Sequence, residues 1–301
     1  MELVKLKPAI KDYIWGGNYF QSFGKGVGLD RVSECWELSV RDLDSSIIAS
    51  GKDTGKPLNE VITKEDIGPV IDRFPYFPLL IKLIDAKDNL SVQVHPSDEY
   101  ALKYEASFGK SEMWHIVSAD PGSGLYVGLN ADHSKEDIEK ALKDGSILQY
   151  LNFFEVKPGE TYIINPGTIH AIGKGVRLIE IQQNSNLTYR LYDYNRVDKN
   201  GNPRELHIQK ALDVIDYLKY HGAVQVKDYL ANNKYFTVKA VEVDGEFEIS
   251  ANDQAFVSFT FLNGSGLVND VAYQAFDTFF LPYRKSCVVK GKGKVIISTV
   301  R

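Results

Sequence analysis

Residues 90–95, LSVQVH, carry the densest chemistry in the chain. Read as a strand, the segment sets Ser91, Gln93 and His95 on one face and Val92 and Val94 on the other, because strand side chains alternate with a period of two. Valines belong between packed layers, which turns the three polar groups inward. Such a row is costly to bury without partners. A metal ion would satisfy the amide and the imidazole together; a solvent-facing strand side with an incidental histidine is the competing reading. Two further segments add ligand types. GKSEMW, residues 109–114, runs from a turn into a strand with Glu112 and Trp114 on the face opposite Met113 and His115. In VKPGETYIINPGTIH, residues 156–170, a Pro166-Gly167 turn is followed closely by His170 at the opening of a strand. Taken alone, Glu112 reads as a surface carboxylate and His170 as a satisfied core histidine. Together with Gln93 and His95 they make two imidazoles, one carboxylate and one amide, a set that suits Zn2+ with a position open for water or substrate. With a single carboxylate partner the ion keeps net positive charge, which favours an oxyanion formed during reaction.

The elements that must position these groups read almost everywhere as short strands. β-Branched and aromatic runs, punctuated by Gly, Pro, Asn and Asp, succeed one another through residues 35–182 and again through 236–299, the pattern of sandwiches and jelly rolls. Three segments read as helices instead. Residues 96–103 open with Pro-Ser-Asp; residues 134–144, SKEDIEKALKD, begin on Ser134 with Asp137 three positions on, a capping-box signal; residues 204–217, RELHIQKALDVIDY, place apolar side chains at helical spacing. The expected organisation is a catalytic β unit over residues 1–232, with a helical insertion at about 131–150 and a helical connector at about 204–232, followed by a smaller β unit over 233–301. His95, His115, His133 and His170 lie in the first part, and His207 and His221 in the connector. The C-terminal unit has no histidine, so it is expected to be structural or to cover one side of the site.

Composition narrows the classes of function. The 301 residues include 35 Lys and Arg against 40 Asp and Glu, a net charge of −5, which argues against a nucleic-acid surface. An anionic substrate must then be held by a local cluster of Lys and Arg. Two cysteines, Cys35 and Cys287, stand far apart, which excludes a disulfide framework and a thiolate zinc site. The first residues, MELVKLKPAIKDYIWGG, have neither an apolar stretch nor a small-residue cleavage site, and no window reaches the roughly 18 apolar residues of a membrane span. A cytoplasmic enzyme or binding protein without nucleic-acid or membrane partners is expected.

Six ordered segments then carry a likeness to a known family: KPAIKDYIWGG (7–17), SECWELS (33–39), FPLLIKLIDAKDNLSVQVHP (77–96), GKSEMW (109–114), NPGTIHAIGKG (165–175) and EIQQNSNLTYRLYDYNR (180–196). In these, and over nearly its whole length, the chain resembles type I mannose-6-phosphate isomerases in their short prokaryotic form. The resemblance implies a mainly β fold of two cupin-type jelly-roll units. It implies one Zn2+ per chain held by Gln93, His95, Glu112 and His170, and aldose–ketose isomerisation between mannose 6-phosphate and fructose 6-phosphate. Gln93 replaces the first His of the general cupin HxH pair, and Glu112 falls later than cupin spacing predicts; both departures are features of this isomerase family.

Isomerisation through an enediol needs proton transfer, stabilisation of negative charge and a cationic grip on phosphate. By resemblance Arg190 is the active-site arginine and Arg196 a basic position near the phosphate; the alternative for each is a solvated or Asp193-paired arginine. Lys82 interrupts the apolar strand LLIKLI and must reach a cavity, an acid or water. Ser91 shares the Gln93–His95 face and could donate to a phosphate or sugar oxygen. Lys110, two residues before Glu112, could touch substrate. Glu180, Lys110 and a zinc-bound hydroxide are all candidate bases. Trp15, Trp36 and Trp114 could stack on a sugar or pack in the core. Monomer and dimer are both compatible with the sequence. A broader sugar-phosphate isomerase that also takes glucose 6-phosphate, and a non-catalytic metal-bearing sugar-phosphate sensor, are the alternatives in function.

Overall fold

The computed structural model describes residues 1–197, 201–222 and 228–301; residues 223–227 of the expected connector lie outside the described residues. The protein is mainly β and built from three antiparallel sheets. Two of them face each other across a shared core. One has six strands in the order Thr161–Ile164, Glu112–Ala119, Val176–Gln183, Leu79–Asp85, Glu34–Leu38 and Ala9–Lys11. The other has five, in the order Tyr189–Tyr192, Val92–Val94, His170–Ile172, Gly124–Leu129 and Leu151–Glu155. A third, nine-stranded sheet holds the strands after residue 230 and takes in Val4–Lys7 and Ile47–Ile48 from the start of the chain; Val4–Lys7 pairs with Thr278–Leu281. This is the cupin arrangement of curled sheets read from the sequence.

Alternation along each strand decides which core it feeds. Val92 and Val94 are fully buried among Ile138, Ala141, Ala211 and Leu212, between the five-stranded sheet and the helices that cover it. Trp114, Ile116, Ile164 and Leu178 point instead between the two facing sheets. Met113, Ile179 and Ile181 point the opposite way, into a core shared with Phe256, Phe280 and Val4 of the nine-stranded sheet.

The insertion helix forms over Lys135–Asp144 with Ser134 as N-cap; its hydroxyl and the Asp137 carboxylate complete the capping box. The helix expected at 96–103 forms over Asp98–Tyr104. The helix expected over 204–217 is shorter, Ile208–Val214. Its first residues are diverted because the His207 backbone N–H donates to the Arg190 carbonyl and so extends beside an edge strand. No helix among the described residues is long and apolar enough to cross a membrane.

Candidate metal centre and active site

Strand register brings the ligand types together. His170 and Arg190 both pair with Gln93, one from each neighbouring strand, so the five-stranded sheet presents Arg190, Gln93 and His170 in a row. From the facing sheet comes Glu112. Its ligand atoms and those of His95 and His170 all lie within 4.8 Å of one another, and the three residues are 0–1% exposed. His95 Nε2 and His170 Nε2 each stand 3.4 Å from a different oxygen of Glu112. Each imidazole donates from Nδ1 to a backbone carbonyl, Leu187 O and Thr168 O, at 2.8 Å. A carbonyl can only accept, so the proton is on Nδ1 and each Nε2 offers a lone pair.

Two imidazole lone pairs and a carboxylate thus converge in a buried space, and neither Glu112 oxygen makes a directed hydrogen bond. Acceptors facing acceptors require a cation. Lys110 supplies part of that charge, with Nζ 2.7 Å from Glu112 Oε2 as an ion pair and 3.1 Å from His95 Nε2. Gln93 Nε2 lies 3.3 Å from His170 Nε2 and donates to it. Burial opposes the Glu112 charge, but the Lys110 ammonium outweighs it and holds the carboxyl well below the usual range. Burial, then the Lys110 ammonium, lowers His95 to about 3, and burial also lowers His170. Both imidazoles are therefore neutral, the form that binds metal. The donor set fits a divalent cation held by His95, Glu112 and His170, with Gln93 alongside.

A second row crosses the six-stranded sheet. Trp36 pairs with Lys82, Lys82 with Glu180, and Glu180 with Trp114. Lys82 Nζ is 3.1 Å from Glu180 Oε1 and 3.6 Å from Glu34 Oε2. Trp114 Nε1 donates to Glu180 Oε2 at 2.8 Å, and Trp36 Nε1 to Glu34 Oε2 at 2.6 Å. Burial works against the Lys82 charge, and the two glutamates more than offset it, so the ammonium is held above the ordinary lysine range. The lysine that the sequence placed among apolar residues is a buried cation between two carboxylates, over the Trp36 ring.

Gln93 and Arg190 of the first row and Trp36, Lys82 and Glu180 of the second line one cavity of about 470 Å3; His95, Glu112 and His170 are buried outside its lining. Of the residues singled out in the sequence, Lys82, Ser91, Gln93, Lys110, Glu180 and Arg190 line it. Arg190 Nε donates to Ser91 Oγ at 3.3 Å and its Nη1 to the Glu205 carbonyl at 2.7 Å. Arg196 is not part of this lining: it caps the Asn89 carbonyl and pairs with Asp193. Trp15 and Trp36 reach the wall, as do Glu34, Arg204 and His207, which the sequence reading did not select. Glu34 carried a usable signal, since it shares a strand face with Trp36. Arg204 follows an Asn-Gly pair that reads as a hairpin turn, and the observed bridge between Val197 and Pro203 returns it beside Asp193.

The geometry has close relatives. The family description "phosphomannose isomerase type I, catalytic domain" matches residues 3–115. The mannose-6-phosphate isomerase ManA of Bacillus subtilis is 34% identical over 92% of both chains. The mannose-6-phosphate isomerase of Streptococcus mutans is 35% identical over 78% of this chain and 77% of its own. A crystal structure of the mannose 6-phosphate isomerase from Bacillus subtilis superimposes with a TM-score of 0.88 at 33% identity, covering 99% of both chains. One third identity sustained along almost the whole length, on a shared fold, makes this chain a member of the type I phosphomannose isomerase family.

Proposed function

We propose that the protein is a zinc-dependent isomerase that interconverts mannose 6-phosphate and fructose 6-phosphate through an enediol. The observation that carries this reading is the buried His95–Glu112–His170 acceptor cluster, which Lys110 and Gln93 contact while themselves lining the cavity together with Glu180 and Arg190. His95, Glu112 and His170 would hold the ion, with Gln93 contributing its carbonyl once the amide turns over. Zn2+ held there would supply Lewis acidity and positive charge toward an oxyanion formed on the sugar.

The chain's own residues handle protons and position. The reaction moves a proton from C2 to C1 and a hydroxyl proton from O2 to O1. Glu180 lines the cavity with its carboxylate fixed by Lys82 at Oε1 and Trp114 at Oε2, a position from which it can take up a proton. Lys110 can donate to, or orient, a sugar oxygen next to the ligand cluster. Ser91 steadies the Arg190 guanidinium, which faces the cavity as a donor for oxygen anions.

The test is a coupled assay of mannose 6-phosphate conversion. Activity is expected to vanish when metal is stripped and to return with zinc. His170→Ala should lose bound metal. Arg190→Ala should keep metal and lose turnover by about 100-fold or more, the effect of removing one preorganised oxyanion donor. Metal-free protein with undiminished turnover overturns the reading.

A further inference from the structure

Residues 204–207 bring two donors to the cavity from outside the motifs that carry the family likeness. Arg204 grips Asp193 with two nitrogens, Nε to Oδ2 at 2.8 Å and Nη2 to Oδ1, and its Nη1 has no partner among the described residues. His207 Nδ1 accepts from the Arg190 backbone N–H at 3.3 Å, which puts the imidazole proton on Nε2. The nearest acid to that Nε2, Glu205 Oε2, is 3.8 Å away on a side chain 83% exposed, beyond hydrogen-bond reach. The backbone holds these groups to Arg190 twice over, because the His207 N–H donates to the Arg190 carbonyl and the Arg190 Nη1 to the Glu205 carbonyl.

Charge separates the cavity into two sides. The carboxylates Glu34 and Glu180 line the six-stranded sheet around Lys82. Arg190, Arg204 and His207 line the edge of the five-stranded sheet, and just behind them Asp193 is the carboxylate that Arg196 and Arg204 share. Burial, then repulsion from Arg204, lowers Arg190 from the usual arginine range, as expected of cations grouped without a bound anion. A phosphate dianion is repelled by the first side and fits the second, where Arg204 Nη1 on a guanidinium held by Asp193 and the His207 Nε2–H line the same wall as Arg190.

We propose that Arg204 and His207, with Arg190, form the clamp for the substrate's phosphate, and that Asp193 is the positioning residue that aims Arg204. This rests on the sugar-phosphate reading above. The probe is inorganic phosphate as a competitive inhibitor of the zinc-loaded enzyme, followed beside the KM for mannose 6-phosphate. Arg204→Gln should raise both constants by about 10- to 100-fold, the worth of a charge-assisted bond, with metal content unchanged. His207→Phe should raise them by about 3- to 10-fold, as for a neutral donor. Arg196→Gln, at a residue outside the cavity lining, should change them less than about threefold. Unchanged constants in Arg204→Gln overturn the clamp. If that variant does not fold, His207→Phe carries the test, and an unchanged inhibition constant there overturns the clamp. The two readings fail differently. Wild-type protein that binds phosphate through Arg204 but does not convert mannose 6-phosphate refutes the isomerase and leaves the clamp. Conversion that survives Arg204→Gln with wild-type constants refutes the clamp alone.

Discussion

His95 and His170 each give an Nδ1 proton to a backbone carbonyl, and the two Nε2 lone pairs are left facing a carboxylate that has no directed hydrogen bond. The Gln93 amide meets His170 Nε2 and Lys110 meets His95 Nε2, but among the described residues Glu112 Oε1 is left with neither a donor nor a cation. The Lys110 ammonium is the one cation found among them, and it touches Glu112 and His95 only. Leaving polar atoms of this kind unsatisfied costs about 1–3 kcal/mol each, which a bound ion recovers. The same accounting applies to Glu180, whose Oε2 is held by the indole of Trp114. Trp114→Phe removes that donor and keeps most of the ring. Turnover is expected to fall roughly tenfold, about 1.4 kcal/mol, while bound metal stays at the wild-type level. A coupled assay beside metal analysis reads both, and unchanged turnover would mean that Glu180 needs no fixing.

At the scale of elements, the strands were legible because alternation is a local property. Val92 and Val94 against Ser91, Gln93 and His95, and Met113 against Glu112 and Trp114, already assign each face, and the sheets place those faces as alternation requires. The connector was less legible. Helical spacing over residues 204–217 is real, yet the first turn competes with a backbone bond to Arg190 that only the folded edge strand provides, and that tertiary partner wins. The resemblance selects Arg196, six residues after Arg190; its guanidinium sits on Asp193 and the Asn89 carbonyl, and the bridge between Val197 and Pro203 brings Arg204 to the same Asp193. Glycine positions show how tightly the site's loops are locked. Gly109 precedes Lys110, and a Cβ there would lie 2.5 Å from Asp98 N and Ser97 C, at the start of the helix Asp98–Tyr104. Its N–H donates to Asp98 Oδ1, and the Lys110 N–H to the Pro96 carbonyl, one residue from His95. Gly109→Ala is therefore expected to cost about 1–3 kcal/mol in urea unfolding, as overpacked sites do. Wild-type stability would show that this junction yields easily.

Over the whole molecule, the six-stranded sheet works on both faces, with its inner face lining the cavity and its outer face packed on the nine-stranded sheet through Cys35, Leu38, Ile81, Ile181, Phe256 and Phe280. Within that apolar seam sits one buried ion pair. The pairing of Glu34–Leu38 with Leu79–Asp85 slips between Trp36 and Leu38, and the residue at the slip is Glu37, fully buried. Lys25 Nζ reaches its two oxygens at 3.0 and 3.1 Å and is itself 5% exposed. Burial pushes the Glu37 carboxyl up, against the opposing pull of Lys25. Removing one partner of such a pair leaves an uncompensated charge, so Lys25→Met should lose about 3–5 kcal/mol of stability, and Lys25→Met with Glu37→Leu should recover most of it. The pH dependence has a definite sign. A carboxyl whose folded pKa is raised binds its proton in the native state before it does in the unfolded chain, so stability rises as pH falls through the raised pKa toward the ordinary carboxylate range. Lys25→Met, with the lowering partner gone, should therefore gain stability between pH 7 and pH 5 relative to wild type, and the double variant should show no such gain. Urea melts of the three proteins across that window read the difference; parallel pH profiles would mean that Glu37 is reached by water and that the seam does not isolate its charge.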